Sequence, residues 1–251
     1  AVVFPEWDMA RHRMAHDWQQ HPGSRWVFGV DWGVGRAAAV AIQVLNDGRW
    51  IIVDELVEKP RSSGHWRQTV KTFIDKYTAK PYLISADRAV PSENMWLRGV
   101  YGPRRTIVMP LSTKHDQYVQ NGVRAIADML APVDRPPLLM FSDKLRLQYD
   151  GDLWGVIQSM QGYRYIVDRS GVATSRIYKD NCSDHIVDAL RYAVVAGLRF
   201  ADLHGGRVPL RHTRKRGRGS RTSDPLLHGS GSRIDYGARG GACCFTMATL
   251  T

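Results

Sequence analysis

Cysteine is scarce in this chain, and its arrangement excludes a structural zinc site. Cys182, Cys243 and Cys244 are the three present, and the adjacent pair 243–244 has neither the spacing of a zinc ribbon nor a second pair to complete one. A reducing, intracellular setting is therefore expected. No apolar run approaches the ~20 residues of a membrane-spanning helix, and the first residues lack the apolar stretch of a signal peptide. No G-x-x-x-x-G-K-[ST] loop occurs, so the phosphate cradle of a P-loop ATPase is missing. Acidic residues are also few, 24 against 35 Lys and Arg, for a formal net charge of +11. That balance favours a polyanionic partner, since each neutralised phosphate releases condensed counterions. Residues 201–251 carry nine Lys and Arg against three Asp, so the excess is concentrated at the end without being confined to it.

What is present reads as one α/β domain with extensions. The 251 residues can bury a sizeable core. Residues 1–24 end in Pro22-Gly23-Ser24 and are expected to be a lead-in or linker. The chain opens on Ala1 rather than Met, as a piece of a longer protein or a processed one does. Trp26 to Val30 is a short apolar run ending at Asp31, and Ala37 to Leu45 and Arg49 to Val57 follow it around the turn signal Asn46-Asp47-Gly48. These three segments predict an antiparallel meander. Trp66, Val70, Phe73, Ile74 and Tyr77 recur at helical spacing, Tyr82 to Ala86 is a fourth strand ending at Asp87, and Thr106 to Met109 is a fifth. Further helices are expected near 93–97, 118–130 and 153–160, with strands at 138–141 and 163–167. A closing helix runs from Asp184 to about Phe200. The order predicts a mixed sheet flanked by helices over residues 25–204. Beyond Gly205, Gly, Ser and Arg dominate and periodicity vanishes, so 205–251 is expected to be a flexible basic tail.

Three aspartates stand where chemistry collects in such folds. Asp31 and Asp87 end strands, and Asp188 lies in the first turns of the closing helix. Hard carboxylate oxygens suit Mg²⁺ or Mn²⁺, and two such ions clamp the attacking and leaving oxygens of a phosphodiester. An aspartate after a buried strand is also a common turn former, and Asp184 also suits a helix cap. Asp188 is harder to explain structurally. It lies one turn inside the helix, four residues from Asp184 and three from His185, so the three can share a face.

Gly29-Val30-Asp31-Trp32-Gly33, Ser85-Ala86-Asp87 and, above all, Asp184-His185-Ile186-Val187-Asp188-Ala189-Leu190-Arg191-Tyr192-Ala193 resemble the nuclease domain of the large terminase subunit of tailed phages. The resemblance covers roughly residues 25–200 and includes the element order. It implies a ribonuclease-H-like fold and an endonuclease that cuts concatemeric viral double-stranded DNA as packaging begins and ends. It implies Asp31, Asp87 and Asp188 as catalytic metal ligands for two Mg²⁺ or Mn²⁺ ions, with Asp184 and His185 accessory. It also implies an ATPase motor domain, the portal and the small terminase subunit as partners, at the procapsid in the host cytoplasm. One departure is that Gly35-Arg36-Ala37 stands where many relatives carry a further acid, so Arg36 becomes a candidate phosphate contact.

Lys114, Lys144 and Arg146 are the other candidate DNA contacts; Lys144 and Arg146 are grouped with Arg164 and Arg169 in an expected hairpin-like insertion. A solvated, structurally idle face would carry the same charges. Trp32, flanking Asp31, is expected to border the cleft. Three other readings compete. A strand ending in Gly-x-Asp-x-Gly also opens the actin-like phosphotransferase fold, but that fold needs a second such unit, which is not found here. A junction resolvase or transposase shares the acid triad. A non-catalytic DNA-binding module would use the carboxylates structurally.

Overall fold

The computed structural model describes residues 1–33, 36–59, 62–108, 115–178 and 183–203. A mixed sheet forms the middle layer. β2 (Arg25–Asp31), β3 (Ala37–Val44) and β4 (Trp50–Glu58) make the expected antiparallel meander. β5 (Leu83–Ala86) adds in parallel to β2, and β6 (Thr106–Val108) adds to β5. On the other side β7 (Leu139–Ser142) pairs in parallel with β4, and β1 (Arg13–Met14) pairs with β7. The order is β1-β7-β4-β3-β2-β5-β6. Because β3 alone runs against the other six, the carboxyl ends of β2, β4, β5, β6 and β7 share one edge. Strand ends in such sheets are where ligands gather.

Both faces of the sheet are covered, which explains why its strands read as continuous apolar runs instead of alternating ones. Val27, Val40, Ile42, Ile52 and Leu83 face α4 (His115–Leu130), α5 (Val156–Gly162) and α6 (Asp184–Leu203). Phe28, Val30, Ala39, Ile51 and Ile84 face α2 (Ser63–Asp75) and α3 (Pro91–Tyr101), from which Trp66, Val70, Phe73, Ile74 and Leu97 enter the core. The Ser62 hydroxyl accepts the His65 amide at 3.2 Å and starts α2, while Pro91 with its preset φ starts α3. No helix among the described residues is long and apolar enough to cross a membrane.

The N-terminal segment differs from its expectation as a lead-in. Val3 and Phe4 are buried, Phe4 stacks on Tyr163 with ring centroids 6.0 Å apart, and Arg13–Met14 extends the sheet. The buried His12 ring, at the end of α1 (Met9–His12), bonds the Leu130 carbonyl at 2.9 Å, and His16 bonds Gln43 at 2.7 Å. Apolar side chains at 3 and 4 and two ring nitrogens with carbonyl partners bind these residues to the domain. The basic tail lies outside the described residues.

The expected insertion separates into two pieces. β8 (Tyr165–Val167) and β9 (Ala173–Ile177) form a two-stranded hairpin whose turn is held by Asp168 accepting the Ser170 and Val172 amides, both at 2.9 Å. Arg164 and Arg169 belong to this hairpin region. Lys144 and Arg146 do not, and instead sit exposed on the connection from β7 to α5.

Glu55, at the interior of β4, holds that connection. Its buried carboxylate accepts the Val156 amide and so caps α5 from across the sheet. Burial raises its pKa to about 7, against the smaller lowering effects of the Val156 amide and Tyr149. The folded state therefore keeps this proton where the unfolded chain has lost it, and stability declines as pH rises from about 4.5 through 7. The full effect is on the order of 3 kcal/mol. The wild-type melting temperature is expected to fall more steeply across this window than that of Glu55→Gln, whose amide oxygen still accepts from Val156. Parallel melting profiles for the two proteins would overturn this assignment.

Candidate functional site

Backbone pairing brings two of the three expected aspartates together. Asp31 is the last residue of β2, and the Asp87 amide donates to the Val30 carbonyl at 3.0 Å, extending the β2–β5 ladder by one bond. That bond sets Asp87 beside Asp31 on adjacent strands. Asp31 is buried, at 6% exposure, whereas Asp87 is half-buried. The Asp31 carboxylate accepts the Gly33 amide at 3.2 Å.

The third aspartate arrives on α6, which crosses the sheet directly over β2. The approach is close: a Cβ on Gly29 would stand 1.9 Å from the Ala189 carbonyl oxygen. Only a residue without a side chain permits it. Asp188, next to Ala189, is thereby carried to the end of β2. One turn earlier, His185 donates from Nδ1 to Asp31 Oδ2 at 3.0 Å. Asp184, at the head of α6, is buried at 6% exposure.

The electrostatics express this convergence. Burial raises the pKa of Asp31, the negative charges of Asp188 and Asp87 push the same way, and the His185 hydrogen bond opposes them. His185 is raised chiefly by its bond to Asp31 against the effect of burial, with Asp184 and Asp188 adding to the rise. Burial and the charges of Asp188, Asp31 and Asp87 together raise the Tyr192 hydroxyl. The charges of Asp87 and Asp188 both bear on Asp31, and all three carboxylates bear on Tyr192.

The donor set is hard oxygen with one imidazole, which suits Mg²⁺ or Mn²⁺ and not a thiolate-seeking ion. Among the described residues, no three His, Cys, Asp or Glu side chains are gathered closely enough to hold a metal ion. Asp31 is turned to His185, and Asp188 Oδ1 accepts from Arg191 Nε at 3.2 Å and Nη2 at 2.9 Å. The chemistry of the donors fits a divalent cation; Asp31 bonds His185 and the Gly33 amide, and Asp188 bonds Arg191.

Arg36 bonds Asp152 of the β7–α5 connection, which also takes Lys59 Nζ at 2.8 Å. The connection folds over the start of β3 and the end of β4, and its Asp152 carboxylate is shared between Arg36 and Lys59. Lys144 is exposed, and the exposed Arg146 lies 5.1 Å over the Tyr149 ring. Lys114 lies outside the described residues. Trp32 is buried at 4% exposure, and its Nε1 donates to Asn94 Oδ1 at 2.9 Å.

Asn94 and Arg191 are the residues that sequence reasoning passed over. Asn94 Nδ2 donates to the Asp87 carbonyl at 2.6 Å, so α3 clamps the loop after β5. Nothing in the sequence singles it out, because its partners are 62 residues away at Trp32 and seven at Asp87. Arg191 carried a signal, the three-residue helical spacing from Asp188.

No family model matches this chain, and no curated protein matches it. Solved structures do. A large terminase from the thermophilic bacteriophage D6E superposes with a TM-score of 0.59 at 17% identity, over 79% of this chain and 45% of that one. The nuclease domain of the bacteriophage SPP1 large terminase, with bound Mn, superposes with a TM-score of 0.54 at 18% identity, over 78% of this chain and 99% of that one. The large terminase nuclease of thermophilic phage G20c, with bound magnesium, gives 0.54 at 15% identity, over 77% and 96%. This chain thus spans less than half of the D6E protein and nearly all of the SPP1 domain. Its seven-stranded mixed sheet with helices on both faces is the ribonuclease-H-like fold of large-terminase nuclease domains.

Proposed function

We propose that this chain is a divalent-metal-dependent endodeoxyribonuclease, the cutting domain of a viral DNA-packaging machine. In this reading it hydrolyses concatemeric double-stranded viral DNA where packaging starts and stops. An ATPase motor domain, the portal and the small terminase subunit are its partners at the procapsid in the host cytoplasm. The observation that carries the reading is that Asp31 and Asp87 stand at the ends of adjacent strands and Asp188 rides on the helix packed against β2, on a fold shared with nuclease domains solved with Mn and with magnesium.

Asp31, Asp87 and Asp188 are the residues that would hold Mg²⁺ or Mn²⁺, as two ions. Such ions, if bound there, would supply Lewis-acid polarisation of the phosphodiester and activation of water. The chain's own residues set the stage. His185 fixes the rotamer of Asp31 through Nδ1, the Gly33 amide holds the other oxygen, and Asn94 anchors the backbone at Asp87. Lys144 and Arg146, exposed beyond the end of β7, are the described basic residues offered to the DNA backbone, so base preference is weak and salt dependence strong.

The test is a nicking assay on supercoiled plasmid. With Mn²⁺ or Mg²⁺, nicked and linear products are expected; chelator abolishes them, and raising salt from 50 to 200 mM weakens DNA binding by at least an order of magnitude. DNA binding with no cleavage under any divalent metal would move the chain to the non-catalytic reading. Cleavage confined to four-way junctions would move it to the resolvase reading.

A further inference from the structure

Arg191 is buried to 2% exposure, and both of its hydrogen bonds go to one oxygen, Asp188 Oδ1. The guanidinium carbon lies 5.4 Å from the Tyr118 ring on α4 and 4.8 Å from the Tyr192 ring. Its Nη1 has no hydrogen-bond partner among the described residues. The stem runs between α4 and α6 through a gap that exists because residue 122 is glycine. A Cβ at Gly122 would stand 2.3 Å from Arg191 Cγ and 2.5 Å from Cδ.

Stability alone does not call for a buried ion pair here. A glycine inside a helix is disfavoured against alanine, a guanidinium is costly to desolvate, and replacing a buried ion pair by apolar side chains is often neutral or stabilising. The ion pair also ties no elements together, since Arg191 and Asp188 are three residues apart on one helix. What the arrangement does is fix one oxygen of Asp188.

We propose that Arg191, with the gap left by Gly122, is a positioning residue that aims the Asp188 carboxylate at the site shared with Asp31 and Asp87. This rests on the metal-nuclease reading above. A planar fork restrains the carboxylate in a way that a point charge cannot, and Mg²⁺-type ions demand near-ideal ligand geometry. Loss of a residue that orients a ligand costs about 10- to 100-fold in metal affinity.

The experiment measures Mn²⁺ binding to the full chain by the EPR signal of free Mn²⁺, alongside thermal melts in chelator. Arg191→Lys keeps the charge and loses the fork, and is expected to bind Mn²⁺ roughly 10- to 100-fold more weakly while melting close to wild type. Gly122→Ala/Arg191→Ala lets the added methyl fill the space of the lost stem, so it is expected to fold and to bind Mn²⁺ as weakly. If either variant folds and binds Mn²⁺ within about twofold of wild type, Arg191 is a packing residue and the inference fails. Asp31→Asn is the control. Mn²⁺ binding that this variant loses upholds the metal site whatever Arg191 does, whereas a wild-type chain that binds no Mn²⁺ overturns both readings.

Discussion

Asp31→Asn is expected to lower Mn²⁺-dependent plasmid nicking by roughly a thousandfold, the equivalent of about 4 kcal/mol of transition-state stabilisation. Asparagine keeps the shape and an acceptor for the Gly33 amide, but it removes the charge a divalent ion requires. The same replacement is expected to leave the melt within a few degrees of wild type. Asp31 is a buried carboxylate pressed by two like charges, and its neutralisation relieves both desolvation and repulsion while costing the His185 bond. Asp188→Asn is expected to abolish nicking equally but to melt lower. It leaves a buried guanidinium with an amide oxygen in place of its counter-charge, a loss approaching the roughly 3–5 kcal/mol of a broken buried pair. The contrast between the two variants, measured by nicking and by circular-dichroism melts in chelator, separates chemistry from folding. Full nicking by Asp31→Asn would remove Asp31 from the machinery.

Gly29→Ala is expected to be the most damaging small substitution in the sheet. The added methyl would lie 1.9 Å from the Ala189 carbonyl oxygen and 3.0 Å from the Ala193 methyl. Neither partner is the far end of a flexible side chain, so α6 must lift from β2. Overpacking against backbone at a fully buried position costs about 3 kcal/mol or more, roughly 6–12 °C in melting temperature for a domain of this size. Nicking is expected to fall with it, since Asp188 and His185 ride on the displaced helix. Gly64→Ala is the control. Its Cβ meets nothing within 4 Å on an exposed turn of α2, and helix propensity favours alanine there by about 1 kcal/mol at most. A Gly29→Ala protein that melts like Gly64→Ala would show that α6 does not rest on β2 as described.

The meander, the α-linked strands and the closing helix were legible because burial writes periodicity into a chain. Trp26 to Val30 is apolar throughout since both faces of β2 are covered, and Ile186, Val187, Leu190 and Val194 mark the face of α6. The packed N-terminal segment was not legible. Val3 and Phe4 are too few to show a period, and β1 is two residues long. The hairpin of β8 and β9 was visible as an insertion. Its separation from Lys144 and Arg146 was not, because charge in a connection carries no direction.

Within the site, local sequence determined Asp31 at the end of a strand, Asp87 at the end of another, and Asp184, His185 and Asp188 on one helical face. Each follows from a spacing of two or about 3.6 residues. Tertiary structure decided which of them meet and what holds them. The amide of Asp87 reaches Val30 across 57 residues, His185 reaches Asp31 across 154, and Arg36 is claimed by Asp152 across 116. Such pairings depend on strand order and on how near α6 can come to β2. Those are set by shape at Gly29 and Gly122, where the decisive feature is the absence of a side chain.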